Sequence, residues 1–200
     1  MSNNFPHPAA GRRPTRTRTR RAGVLAASAL GLALLGTAFA QPAQAVPPTT
    51  CNNLQVTDQV QPGVPFFGTA AAEVIGGTMQ VDIIDGGGGL DVICGWKGND
   101  VIDGGENADW ISGAEGDDTI HGWGSGDTIF GNDDNDTLFG DDGNDTLRSG
   151  DGIDSISGGN GDDILHCGLD ADVGDGGPHV AGDILMSAAN HGCDVAVNIP

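Results

Sequence analysis

Positive charge almost vanishes from this sequence after Arg21. Lys97 and Arg148 are the only basic side chains beyond that point, set against 28 Asp and Glu. A chain of this balance repels nucleic acid and anionic membranes and attracts multivalent cations, which excludes the nucleic-acid-binding classes. Proline is missing from Phe66 to Gly177. That suits a long continuous β structure, in which each proline would remove a ladder donor. Catalytic signatures are missing too. Neither His-Glu-x-x-His nor Gly-x-Ser-x-Gly occurs, so the sequence offers neither a metalloprotease helix nor a nucleophile elbow. There is no Cys-x-x-Cys pair, and nothing supports a zinc site.

What is present begins with an export signal. Residues 1–21 carry six arginines and no acid, and a run rich in small apolar residues follows from Ala22 to Ala40. It meets two small-x-small patterns, Ala38-Phe39-Ala40 and Ala43-Gln44-Ala45. This is the layout of a secretory signal peptide over residues 1–45, cut after Ala45, with Ala40 as the second choice. The competing reading is a retained anchor, weakly apolar for its length. Cleavage leaves an extracellular chain with two basic side chains against 28 acids, a net charge of −26. Cys51, Cys94, Cys167 and Cys193 all fall in it. An even count in an exported chain suggests two disulfides. Of the three connectivities, Cys51–Cys94 with Cys167–Cys193 is favoured, because each pair pins one flank of the central region.

That central region is a nonapeptide repeat. From Gly86 to His166 nine blocks follow one another without insertion: GGGGLDVIC, GWKGNDVID, GGENADWIS, GAEGDDTIH, GWGSGDTIF, GNDDNDTLF, GDDGNDTLR, SGDGIDSIS and GGNGDDILH. Aspartate holds the sixth place of every block, and Ile or Leu the eighth, from Ile93 to Leu165. Degraded copies flank the array: GTMQVDIID with Asp82, GTAAAEVIG with Glu73, and CGLDADVGD with Asp172. Residues 46–67 read as a Pro-rich linker and N-terminal cap, with Phe66 and Phe67 covering the first open turn. Residues 176–200 read as a C-terminal cap, made of two short strands or of a helical turn and a strand.

Positions 7–9 of each block have β character, while Gly, Asn and Asp at positions 1–5 suit a tight turn with φ > 0. Strand and turn complete half a coil. Two blocks make a full coil, and equivalent residues 18 apart in sequence then lie about 4.8 Å apart in space. Position-8 side chains stack inwards, and position-6 aspartates line the two edges. One buried aliphatic contributes roughly 1.5–3 kcal/mol per block, against about 1–2 kcal/mol of ordering cost for every backbone unit. Carboxylates stacked at ~5 Å repel by about 1 kcal/mol per neighbour. A further stabiliser is needed. A hard divalent cation between successive carboxylates reverses the sign, and calcium, with six to eight oxygens in irregular geometry, suits the site better than compact magnesium. For the metal-free chain the competing reading is Gly/Asp-rich disorder.

The G-G-x-G-x-D-x-U-x pattern, from Gly68 to Asp175, resembles the RTX, or haemolysin-type, calcium-binding repeat. The resemblance implies an all-β fold: a right-handed parallel β-roll (β-solenoid) over residues 68–175. It also implies Ca2+ between turns, held by loop carbonyls and position-6 aspartates, here Asp82, Asp91, Asp100, Asp109, Asp118, Asp127, Asp136, Asp145, Asp154, Asp163 and Asp172. The family pattern wants glycine at position 4, and Asn107, Ser125 and Asp134 depart from it. RTX toxins carry a C-terminal export signal, whereas this chain has an N-terminal one.

Once signal, linker and repeats are set aside, too little chain remains for an ordinary catalytic domain. The regularly repeated aspartates do not single out one glycosidase-like cleft. His121 and His166, both at position 9, fall on opposite sides of the roll. The expected function is therefore a secreted, non-catalytic calcium-binding protein. The mature form needs no membrane, and its protein or cell-wall partner is open. The alternative is a calcium-stapled adhesion or cell-surface interaction protein, for which Trp96 and Trp123, at position 2 on opposite sides, are the best support.

Overall fold

The computed structural model describes residues 48, 50–168, 170–177 and 184–187. The expected signal peptide, Cys193 and most of the expected C-terminal cap lie outside them. Every regular element among the described residues is a strand. A short hairpin comes first, β1 (Thr50–Cys51) and β2 (Leu54–Gln55), followed by β3 (Asp58–Gln59), β4 (Phe66–Phe67), β5 (Val74–Gly76) and β6 (Ile83–Asp85). The repeats supply β7 (Val92–Lys97), β8 (Val101–Glu106), β9 (Trp110–Glu115), β10 (Thr119–Gly124), β11 (Thr128–Asp133), β12 (Thr137–Asp142), β13 (Thr146–Asp151) and β14 (Ser155–Asn160). The last are β15 (Ile164–Cys167), β16 (Val173–Asp175) and β17 (Ile184–Ser187).

Even-numbered strands β4 to β16 form one parallel sheet, and odd-numbered strands β3 to β17 form the other. The chain alternates between them, two blocks per coil. The register follows the sequence period: Ile120 sits beside Ile102 and Leu138, each 18 residues away. This is the parallel β-solenoid, or β-roll, of about six coils. It begins upstream of Gly68, because β3 and β4 already pair with β5 and β6.

Strands through the repeats are six residues long rather than three. Each runs from position 7 into position 3 of the next block, so Trp123 pairs with Gly105 and Gly124 with Glu106. Positions 1–3 are poor strand formers in isolation, and stacked neighbours on both sides make them ladder residues. Left-handed backbone then falls at two corners. Position 4 has it as expected, including Asn107 (φ 76), Ser125 (φ 80) and Asp134 (φ 78). Position 2 has it as well, even at Trp96 (φ 77) and Trp123 (φ 74).

Side-chain alternation in a strand puts positions 6, 8 and 1 on the inner face, and positions 7, 9 and 2 on the outer one. The core is accordingly one column of Ile and Leu per sheet, from Ile75 to Leu165, each at most 2% exposed. Phe66 packs against its N-terminal end, whereas Phe67 faces outwards. At position 5 an amide-and-carboxylate ladder stitches one side. The Asn135 N–H donates to Asp117 Oδ1 (3.0 Å), and the Ile153 N–H to Asn135 Oδ1 (2.9 Å). Cys51 is bonded to Cys94, with their Cα atoms 5.8 Å apart, which fastens the hairpin to β7. Cys167 is also in a disulfide.

Candidate metal centre

The position-6 aspartates lie inside the roll, not on its edges. All eleven, from Asp82 to Asp172, are at most 4% exposed. The cause is the strand alternation: a residue two places before an inward-facing Ile or Leu shares its face. Each column is held by its own backbone. The N–H of Asp100 donates to Asp118 Oδ1 (2.7 Å), Asp118 to Asp136 (2.9 Å), Asp127 to Asp145 (2.7 Å) and Asp145 to Asp163 (2.8 Å). The same step joins Asp82 to Asp100, Asp91 to Asp109, Asp109 to Asp127, Asp136 to Asp154 and Asp154 to Asp172.

One oxygen of each carboxylate from Asp100 to Asp172 is thereby satisfied, and Asp91 Oδ1 accepts the Glu73 N–H (2.7 Å). In most of them the other is not. Oδ2 of Asp91, Asp100, Asp109, Asp118, Asp127, Asp136, Asp145 and Asp172 is buried and accepts no hydrogen bond. An orphaned carboxylate oxygen in the interior is expensive, more so when it carries charge. A column of them asks for a cation or for protons.

What faces these oxygens is the missing side chain of position 1. A Cβ on Gly104 would lie 2.9 Å from Asp109 Oδ2 and 3.0 Å from the carbonyl oxygen of Gly122, one coil on. The corresponding place at Gly95, Gly122, Gly131 and Gly140 is also bordered by the block's own Asp Oδ2 and a carbonyl oxygen from the following coil. The position-1 glycines of the repeats thus keep a cradle open between a carboxylate and a carbonyl, although none of these five has a left-handed φ. Sequence reasoning assigned glycine to the turn and missed this role.

Two acids outside the nine-block array are treated differently. Asp82 accepts the N–H of Thr78 (2.5 Å) at Oδ2 and its hydroxyl (3.2 Å) at Oδ1. Glu73 accepts the N–H (2.8 Å) and hydroxyl (3.1 Å) of Thr69. In both blocks a threonine at position 2 supplies the donors, so Asp82 stands apart from the other predicted ligands. Ser149 is the second exception. It replaces glycine at position 1 and is fully buried. Burial raises the pKa of Asp154, opposed by the Asp136 N–H and by the nearby Ser149 hydroxyl, and Asp154 Oδ2 still accepts no hydrogen bond.

Burial dominates the electrostatics. It pushes the carboxyls of Asp100, Asp127 and Asp136 up to about 8, opposed by the backbone N–H each accepts and reinforced by neighbouring aspartates in the column. Asp91, Asp109, Asp118 and Asp145 rise to about 6 for the same leading reason. Burial thus raises the cost of the charged form in each of these carboxyls.

The donor set fits calcium. It consists of hard oxygens only, a carboxylate from each block and a carbonyl from the next coil, without nitrogen or sulfur. Among the described residues, no three His, Cys, Asp or Glu side chains converge on one point, so backbone carbonyls or water would have to complete any coordination shell. His121 on β10 and His166 on β15 lie in different sheets, as expected from block parity.

The family model of the RTX calcium-binding nonapeptide repeat matches the chain four times, over residues 67–102, 76–111, 103–138 and 139–174. No curated protein and no solved structure matches it. The matched span covers more than half of the 200 residues and coincides with the two stacked carboxylate columns. Calcium is the ion of this repeat. The chain belongs to the RTX calcium-binding nonapeptide-repeat family.

Proposed function

We propose that the mature chain is a secreted, non-catalytic calcium-binding protein whose β-roll is completed by Ca2+ outside the cell. The position-6 aspartates from Asp91 to Asp172 contribute their inner oxygens, and position-1 carbonyls of the following coil contribute theirs. Bound calcium supplies the positive charge that the columns lack and replaces the protons that burial would otherwise hold there. Asp82 has its own donors in Thr78 and contributes least. The observation that carries this reading is the repeated buried Oδ2 without a partner. Two disulfides, Cys51–Cys94 and Cys167–Cys193, close the flanks in an oxidising compartment.

The test is a calorimetric calcium titration of metal-free mature protein, with far-UV circular dichroism in parallel. We expect several ions per chain and a cooperative gain of β signal. The same β content in excess chelator and in millimolar calcium would overturn the reading.

A further inference from the structure

Trp96 and Trp123 occupy the same repeat position with nearly the same left-handed backbone, yet their surroundings differ. Trp96 lies against Gly76, beside the disulfide that anchors the N-terminal hairpin, and packing accounts for it. Trp123 is less covered, with the His121 ring centroid 6.0 Å from its own. It is 48% exposed and walls a groove of 260 Å³ on the outer face of the even-numbered sheet, lined also by Asp141, Asp142, Gly159 and Asn160. The coil register builds this groove: Trp123 lies eighteen residues before Asp141, which pairs with Gly159, and Asp142 pairs with Asn160.

The groove's two carboxylates are positioned but not exhausted. His121 Nδ1 lies 2.9 Å from Asp141 Oδ2, and His121 is itself stacked on Phe139, with ring centroids 4.4 Å apart. Asn160 Nδ2 donates to Asp142 Oδ1 at 2.7 Å. Each carboxylate therefore has a fixed orientation and a second oxygen for a ligand.

We infer that this groove binds the guanidinium group of an arginine side chain on a partner polypeptide. A guanidinium stacks on an indole face, and its planar fork of donors suits carboxylate oxygens. The charge of the mature chain draws cations towards it. A neutral sugar could stack on the same indole and donate hydroxyls to the carboxylates, but it would bring them no positive charge. The inference rests on the calcium reading only in that the roll must be folded.

The test uses mature protein in millimolar calcium, titrated calorimetrically with an arginine-glycine-arginine-glycine-arginine peptide. Its lysine counterpart and a neutral hexasaccharide are titrated alongside. Trp123→Gly should weaken the arginine peptide at least tenfold without changing β content or calcium stoichiometry, because glycine is at ease with this φ. That variant keeps every carboxylate, so unchanged affinity would mean diffuse attraction to an acidic surface and would overturn the inference. Asp141→Asn with Asp142→Asn should also weaken binding at least tenfold. Equal affinity for the lysine peptide, or binding of the sugar in place of the arginine peptide, would overturn it as well. Every arm is read on protein whose dichroism shows a folded roll, so failure of the groove is separate from failure of the calcium reading.

Discussion

The coil from Gly68 to Asp85 and the coils from Gly86 to His166 share one register and meet the same electrostatic problem in opposite ways. In the first, Thr69 and Thr78 donate both an N–H and a hydroxyl to Glu73 and Asp82, and a disulfide ties the neighbouring hairpin to β7. In the second, Asp91, Asp100, Asp109, Asp118, Asp127, Asp136 and Asp145 keep an inner oxygen without a donor, and a position-1 glycine lies beside most of them. An interior acid is stable when something donates to it. On the calcium reading, a coil whose protein supplies the donor should stand without metal, and one that leaves a cradle should need the ion. The N-terminal coil is then expected to act as a base on which the other coils stack, in keeping with a quasi-one-dimensional architecture.

Removing calcium should break this contrast open and produce the largest effect. If each site binds with Kd near 10⁻⁴ M, about 1 mM calcium stabilises the roll by about 1.4 kcal/mol per ion. Several ions together then rival the whole stability of an ordinary domain, about 5–15 kcal/mol. Hydrogen exchange read by mass spectrometry in chelator should show residues 119–160 losing protection, with residues 73–96 retaining more while the disulfide is intact. Equal loss along the chain would mean that the N-terminal coil is no base at all.

Acidity should replace calcium in part. The folded-state pKa values of Asp100, Asp127 and Asp136, about 8, and those of Asp91, Asp109, Asp118 and Asp145, about 6, exceed the unfolded value of about 3.9. The metal-free roll thus binds more protons than the unfolded chain between roughly pH 4 and pH 8. By linkage its stability is fullest below pH 4 and is lost as pH rises through 6 and 8. Calcium competes for the same oxygens, so its apparent affinity should fall from pH 8 to pH 6, with protons released on binding. Dichroism of metal-free protein should show β content rising on acidification. β content rising with pH instead would remove burial as the cause.

Much of this was legible in the sequence. The nine-residue phase, Ile or Leu at position 8 and Asp at position 6 gave the coil, its two-sheet alternation and the aspartate pairs 18 apart. Two features were hidden by reading positions 1–3 as turn. Had the strand been continued into them, alternation would have placed Asp and Gly inside with the aliphatics, and the cradle would have followed. The threonine donors at position 2 of the first blocks, Thr69 and Thr78, stand out only once position 2 is seen beside the acid it serves. The groove beside Trp123 depends on Asp141, one coil on, and Asn160, two coils on, whose significance appears only when the register is laid out side by side.

Replacing Asp118 with Ala probes the array at one point and should have an intermediate effect. It removes an inner oxygen and also the acceptor for the Asp100 N–H, which alone costs about 1–3 kcal/mol. Calcium stoichiometry should fall by one or two ions. Asp58→Ala, on β3 outside the columns, should leave stoichiometry unchanged. Equal effects from the two would point to diffuse counterion binding instead of formed sites.

The smallest and most discriminating change is Ser149→Gly. Ser149 is the one residue in the nine blocks that puts a side chain at position 1. Its hydroxyl accepts the Gly168 N–H (3.2 Å) and favours the charged form of Asp154, so here the protein has partly filled a cradle itself. Glycine would recreate the geometry of the neighbouring blocks. In metal-free protein at pH 5, where protonation supports the roll, the variant should lose about 1 kcal/mol, the net worth of an ordinary hydrogen bond. In millimolar calcium at pH 7.5 the loss should vanish or reverse, because an ion gains the space that the hydroxyl held. Thermal unfolding under the two conditions measures both signs. An equal loss in both would show that the hydroxyl is plain packing, and that the cradle at Asp154 is closed whatever stands at position 149.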